Sequence, residues 1–256
     1  MISVITGASA GIGAAAAAEL SGRGHHVVLV GRDAKRLEAV ARGLPGPGAD
    51  VMTCDYTSLD DVRRLASQLR ENYDRIAVLA NNAGIMSSTR QLTRDGHELM
   101  IQVNHLAPFL LTHSLTDRVD RVVTTSSRAG QSGRLDPDDL SRERRRWNGW
   151  LQYGDSKQAN ALFTVALAAR GVKAACFHPG VIRTGFAAET LLMRFFLALP
   201  GYAKPPEHGA RRLVGLATGP EGDLAGRYFD GKPTAGMTDE ALADRLWEAS
   251  LSALSR

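Results

Sequence analysis

The sequence predicts an α/β fold: a single domain on a doubly wound parallel sheet of about seven strands, with helices on both faces. Two observations carry that reading. Short β-branched runs alternate with longer stretches whose apolar residues recur about every 3.6 positions, and such alternation builds parallel sheets. A glycine cluster, Gly7 to Gly13, follows the first run and opens the first helical stretch.

In chain order, the expected strands are Ile2–Thr6, His26–Gly31, Asp50–Cys54, Ile76–Asn81, Arg121–Ser126, Val172–Phe177 and Arg227–Phe229. Between them, helices are expected over Gly13–Arg23, Ala34–Arg42, Leu59–Asn72, Gly96–Leu115 and Ser156–Arg170. The Pro/Gly segment Pro45 to Gly48 reads as a loop before the third strand. No Ser/Gly linker, low-complexity block or repeat divides the 256 residues, so 1–256 is expected to be one unit. Ligands of such sheets bind beyond the carboxyl ends of the strands, so residues just after each strand are where chemistry is sought.

Hydrophobic residues make up 44% of the chain and charged residues 23%, the composition of an ordinary globular protein. The net charge of +4, from 31 basic and 27 acidic residues, fits an anionic ligand but selects none. Arg142, Arg144, Arg145 and Arg146 cluster beside Trp147 and Trp150. They are expected to form a solvated face, and with no recognition motif beside them no nucleic-acid partner is expected. Cys54 and Cys176 lie in apolar runs and read as reduced core thiols. The seven histidines show no ligand spacing, so no metal is expected. The chain enters its first strand at once, which points to a cytoplasmic protein. Its most apolar later run, Leu191 to Leu199, is interrupted by Arg194 and stops at Pro200, short of the ~20 residues of a spanning helix, so no membrane span is expected.

The segment Thr6-Gly7-Ala8-Ser9-Ala10-Gly11-Ile12-Gly13 lies between first strand and first helix. Glycines let a backbone approach a pyrophosphate, and the helix start offers free N–H groups and a partial positive charge. Nucleotide binding is therefore expected here. Sites for NAD usually place a carboxylate at the tip of the second strand, whereas NADP sites can place an arginine there. Here the strand ends Val30-Gly31-Arg32, and Asp33 one residue later is suited to cap the next helix. Arg32 is thus the expected ligand of a 2′-phosphate, favouring NADP(H) over NAD(H).

Tyr153 and Lys157 stand four residues apart, one helical turn, so an ammonium lies beside a phenol. A tyrosine is a poor base at neutral pH, but a nearby lysine and a positive nicotinamide would lower its pKa.

Taken together, these residues resemble the short-chain dehydrogenase/reductase family over nearly the whole chain. The Thr6 to Gly13 loop, Asp55 after the third strand, Asn81-Asn82-Ala83-Gly84 after the fourth, Asn104, Ser126-Ser127 after the fifth, Tyr153 with Lys157, and Pro179-Gly180 with Thr184 occur in family order. The resemblance implies a Rossmann fold and hydride transfer between a nicotinamide cofactor and a carbonyl or alcohol. It implies that Ser127 bonds the substrate oxygen, Tyr153 exchanges its proton, Lys157 holds the nicotinamide ribose and acidifies Tyr153, and Asn104 holds a relay water. Asp55 would contact the adenine, Asn81 its ribose, and Thr184 the carboxamide. The cofactor set then comprises Gly7, Ser9, Ala10, Gly11, Ile12, Gly13, Arg32, Asp55, Tyr56, Asn81, Ala83, Gly84, Tyr153, Lys157, Pro179, Gly180, Val181, Ile182 and Thr184. Ser126 competes for the serine role, and Ser127 is preferred because it precedes Gly130 by three positions.

An extended spacing from Ser127 to Tyr153 implies an insertion around 131–149. With Val103-Asn104-His105-Leu106 and Gly226-Arg227-Tyr228-Phe229, it is most similar to the retinol dehydrogenase-like branch. That branch implies oxidation or reduction of apolar alcohols and carbonyls; reduction of a bulky, largely apolar aldehyde or ketone with NADPH is the expected direction, because cytoplasmic NADP pools are held mainly reduced. The alternatives are an alcohol dehydrogenase working oxidatively and a cofactor-binding redox sensor without turnover. The apolar residues from Phe186 to Leu199 suggest a substrate lid around 184–206. The family also implies subunit pairing, as a homodimer or homotetramer, through the helices starting near Gly96 and Tyr153.

Overall fold

A computed structural model describes residues 1–182, 203–220, 224–229 and 235–255. Seven parallel strands form one sheet: β1 Ile2–Thr6, β2 His26–Gly31, β3 Ala49–Thr53, β4 Val78–Asn81, β5 Val122–Thr125, β6 Ala174–Phe177 and β7 Ala225–Phe229. Their order is β3-β2-β1-β4-β5-β6-β7. The chain therefore winds outward in one direction from β1 to β3, then returns to place β4 on the other side of β1. The crevice at that reversal is where such sheets bind ligands. Val4, Ile5, Val27, Val28 and Leu29 are fully buried, as expected of strands covered on both faces.

One face carries α1 Gly11–Gly22, α2 Ala34–Arg42 and α7 Pro206–Thr218, whose Ala16, Leu37 and Leu213 share a core with Ile5 and Val27. The alanines of α1 keep that helix close to the sheet. The opposite face carries α3 Leu59–Asn72, α4 Leu99–Ile101, α5 Ala107–His113, α6 Gly149–Ala169 and α9 Glu240–Leu254; a short α8, Ala235–Thr238, precedes α9. Their core joins Leu65, Phe109, Phe163 and Trp247. Trp247 of α9 lies 4.9 Å from the Phe109 ring and 6.1 Å from that of Phe163, so α9 covers one face of the α5–α6 pair.

The continuous helix expected over Gly96–Leu115 is broken. Between α4 and α5, residues Gln102–Leu106 form a wider π-type turn. Pro108 explains the break: it has no N–H to give to the Asn104 carbonyl, and its ring would clash there in a regular helix. Helix α6 begins earlier than expected, at Gly149, because the Asn148 side chain accepts from the N–H groups of Trp150 and Leu151.

The arginine cluster is the solvated face expected from its charge only in part: Arg144 and Arg146 are exposed, whereas Arg142 and Arg145 are drawn inward. Arg142 is 6% exposed, with Nη2 2.8 Å and Nε 2.9 Å from Oδ2 of Asp155, a residue of α6 with no exposure. Arg145 pairs with Asp139 at 2.9 Å. The Arg134 N–H also donates to Asp155, at 2.8 Å. Aspartates brought in by the fold thus pull part of the charge run inward, as buried ions require. Arg142 adopts φ +47°, a left-handed conformation rare for a bulky residue.

Cys54 and Cys176 are free and buried. Among the described residues no helix is long and apolar enough to cross a membrane, and no group of three or more His, Cys, Asp or Glu could hold a metal.

Candidate active site

At the carboxyl edge of the sheet opens a cleft of about 1010 Å³. Its floor is backbone. Gly7 and Gly11 adopt φ +67° and +59°, and a Cβ on Gly7 would stand 2.9 Å from the Ala83 Cα. A Cβ on Gly13 would stand 2.4 Å from the Gly7 carbonyl oxygen. These contacts bring the loops after β1 and β4 together. No side chain caps α1, which leaves its first-turn amides for an anionic ligand. Thr6 Oγ1 accepts the N–H groups of Asn82 and Ala83, both at 3.0 Å, fixing the second loop against the first.

The cleft gathers most of the expected residues. Gly7, Ser9, Ala10, Gly11, Ile12, Arg32, Asp55, Tyr56, Ala83, Gly84, Ser127, Tyr153, Lys157, Pro179, Gly180 and Ile182 all line it. Gly13 does not line it and acts through packing on Gly7. Val181 is 43% exposed beside it. Asn81 is turned away: its amide is buried and donates to Thr112 Oγ1 at 2.9 Å, while its neighbour Asn82 lines the cleft. The first asparagine ends β4, and alternation along the strand sends its side chain into the helix layer. Asn104 also stands behind the wall. Its Oδ1 accepts from Ile85 N–H at 2.7 Å, and its Nδ2 donates to Ser156 Oγ at 2.9 Å, tying the loop after β4 to α6. Thr184 and nearly all of the expected lid fall outside the described residues.

At the catalytic end, the two serines separate. Ser126 Oγ donates to the Lys157 carbonyl at 2.7 Å, whereas Ser127 hydrogen-bonds the Tyr153 phenol. Lys157 Nζ donates to the Thr125 carbonyl at 3.2 Å and stands 5.7 Å from the centre of the Tyr153 ring. Burial pushes the phenol up to about 12, against a smaller downward pull from Ser127, and brings the ammonium down to about 8. The expected lowering of Tyr153 is therefore not produced by the protein's own groups. Removal of water dominates, and at neutral pH Tyr153 holds its proton.

At the far end, Asp33 caps α2 by accepting from the Arg36 N–H at 3.1 Å and pairs with Arg36 Nε at 3.3 Å. Arg32 and Arg36 both line the cleft. Arg36 was not anticipated, although its place one helical turn beyond Arg32 was a readable signal. Also unanticipated as lining are Ile85, Met86, Leu99 and Val103, which add apolar side chains to the cleft, Ile85 and Met86 packing beside Tyr153. Three of these directly adjoin residues already singled out or one another: Ile85 and Met86 follow Gly84, and Val103 precedes Asn104.

The pattern of the family described as short chain dehydrogenase matches residues 1–194. The chain is 42% identical to a proposed daunorubicin C-13 ketoreductase of Streptomyces sp. (strain C5), covering 98% of this chain and 91% of that protein. It is 36% identical to human retinol dehydrogenase 13, covering 96% and 82%. Among solved structures, a short chain dehydrogenase from Burkholderia cenocepacia J2315 in complex with NADP superposes with a TM-score of 0.69 at 27% identity, covering 89% of this chain and 94% of that one. With this site on this sheet, the chain belongs to the short-chain dehydrogenase/reductase family, in its retinol dehydrogenase-like branch.

Proposed function

We propose that the protein is an NADPH-dependent reductase that converts bulky, largely apolar aldehydes and ketones to alcohols, working in the cytoplasm. The observation that carries this reading is the placement of Ser127, Tyr153 and Lys157 in the same cleft as the glycine floor and two arginines. The floor fits a dinucleotide, because Gly7 and Gly11 line it at positive φ and the uncapped start of α1 leaves its amides for a pyrophosphate. Arg32 with Arg36 supplies two guanidinium groups for a 2′-phosphate, and Asp33, engaged in capping α2, leaves that place to them. Asp55 and Tyr56 line the adenine end; Ala83 and Gly84, with Asn82 in the role expected of Asn81, line the ribose. Pro179 to Ile182, with Thr184, serve the carboxamide.

When bound, the reduced nicotinamide supplies the hydride. Ser127 Oγ orients the substrate carbonyl oxygen, and Tyr153 gives that oxygen its proton. The phenol holds its proton at neutral pH and so has one to give, and the Lys157 ammonium favours the phenolate that donation leaves. Lys157 also holds the nicotinamide ribose, and Asn104 supports the relay that returns the proton. Ile85, Met86, Leu99, Val103 and Ile182 line the place for the substrate's apolar body. A homodimer or homotetramer built through the α5–α6 face that Trp247 covers would have to displace α9.

The name retinol dehydrogenase, carried by one of the two relatives, favours a second reading, oxidation of an apolar alcohol by the same residues in reverse. Loss of NADPH absorbance with a panel of aldehydes and ketones, and its appearance with NADP and the matching alcohols, separates the two. Turnover in neither direction would leave a cofactor-binding sensor and overturn the proposal.

A further inference from the structure

Four large apolar side chains are exposed among the described residues: Met1, Leu92, Trp150 and Val181. Single exposed apolar residues need no explanation, but the position of these three beyond the terminal Met1 does. Leu92 follows the cleft residue Gln91, Val181 precedes the cleft residue Ile182, and Trp150 stands on the first turn of α6 one turn before Tyr153. The Trp150 ring centre is 6.3 Å from that of Tyr153, the planes tilted by 41°. It is 52% exposed, whereas Tyr153 is 8% exposed.

The backbone under Trp150 is firmly placed. Asn148 accepts its N–H at 3.0 Å, and Gly149 lies so close to the loop after β4 that a Cβ there would stand 2.4 Å from the Ser87 carbonyl oxygen. Nearby Trp147 is partly buried with Met86 and Met100, its Nε1–H donating to Glu98 at 3.4 Å. One indole of the pair is thus built into the wall, and the other is held at the rim above the proton donor.

We propose that Trp150 is a specificity residue that stacks on flat, fused-ring carbonyl substrates and so selects them over saturated ones of equal apolar size. The inference rests on the reductase reading above. The indole stands from the Tyr153 ring within the roughly 4.5–7 Å over which aromatic rings pair favourably, so a substrate that brings its carbonyl oxygen to the Tyr153 hydroxyl and extends outward on that side meets the exposed indole face. A rigid ring system meets the indole with its whole face and loses no rotamers, whereas a saturated body has no π face to offer.

The test compares wild type, Trp150→Phe and Trp150→Leu with NADPH on naphthalene carbaldehyde and its saturated decalin counterpart. The ratio of kcat/KM for planar over saturated substrate is expected to fall roughly 2- to 12-fold in Trp150→Leu and to be largely restored in Trp150→Phe. Equal NADPH binding by all three proteins shows that the variants are folded. An unchanged ratio in Trp150→Leu, or an equal fall in Trp150→Phe, would overturn the inference while leaving the reductase reading intact. Turnover of neither aldehyde by wild type would overturn both.

Discussion

The two ends of the cleft are made of different materials. The floor of the cofactor end is backbone, glycines at φ +67° and +59°, helix amides and a loop locked by Thr6, with Arg32 and Arg36 adding their side chains at its far edge. The catalytic end is side chains, Ile85 and Met86 packed beside Tyr153 with the two indoles next to them, carried by segments tied to α6 through Asn148, Asp155 and Ser156. Backbone sites depend on a few residues in a short stretch of sequence. Side-chain sites depend on contacts between segments far apart in the chain, so the two ends should fail in different ways.

The largest expected effect is confined to chemistry. Tyr153→Phe removes the transferable proton and should lower kcat by about 10²–10⁴-fold while NADPH affinity, set at the other end, stays nearly unchanged. Retention of most of the activity would show that another group is the acid.

Next comes the scaffold of the catalytic end. Asp155→Ala strands the buried Arg142 guanidinium, and urea unfolding should show about 3–5 kcal/mol of lost stability. Replacing Arg142 and Asp155 together with apolar residues should restore much of it. A loss below about 1 kcal/mol for Asp155→Ala would mean the pair behaves like one exposed to water.

That contrast explains what could be read in the sequence. The glycine loop, Arg32 and the Tyr153–Lys157 pair are local patterns whose chemistry shows in residue type and spacing. Strands β1 and β2 were legible for the same reason, since strands covered on both faces are continuous apolar runs. Asp155 lies between Tyr153 and Lys157 yet carries no local sign that Arg142, thirteen residues earlier, will fold back onto it. The break at Gln102–Leu106 was in principle visible at Pro108, but the apolar period runs through it and masks the missing N–H. The difference between Asn81 and Asn82 is one residue of strand alternation, below the precision with which a strand end can be placed from sequence. Helix α9 repeats Ala243, Leu246, Trp247 and Ser250 at helical spacing, diluted by small residues.

At the cofactor end the expected effects are smaller. Arg32→Asp should weaken NADPH by roughly one to two decades, in line with the loss of a charged hydrogen bond of about 1.5–3 kcal/mol, and should narrow or reverse the preference over NADH. Arg36→Ala should lose less, because Arg36 also pairs with Asp33 at the surface. Identical affinities for the two cofactors in wild type would contradict the assignment of these arginines.

The pH dependence gives the smallest and most graded effect. Lys157 sits near 8, so its neutral form grows as pH rises through that value, and the positive charge that favours the phenolate is lost. Tyr153, near 12, stays protonated over the same range. Reductive kcat/KM should therefore decline above about pH 8 with a single titration. A profile still rising at pH 9 would show that Lys157 works as a neutral amine.

The most direct measurement follows the hydride itself. Wild-type protein is incubated with an apolar aldehyde and NADPH carrying deuterium at both positions of the reactive carbon of its nicotinamide ring, and the alcohol is analysed by mass spectrometry. The account predicts one deuterium on the carbinol carbon, one alcohol for each NADPH consumed, and loss of both in Tyr153→Phe. NADPH bound without alcohol formed, or alcohol formed without label, would contradict it.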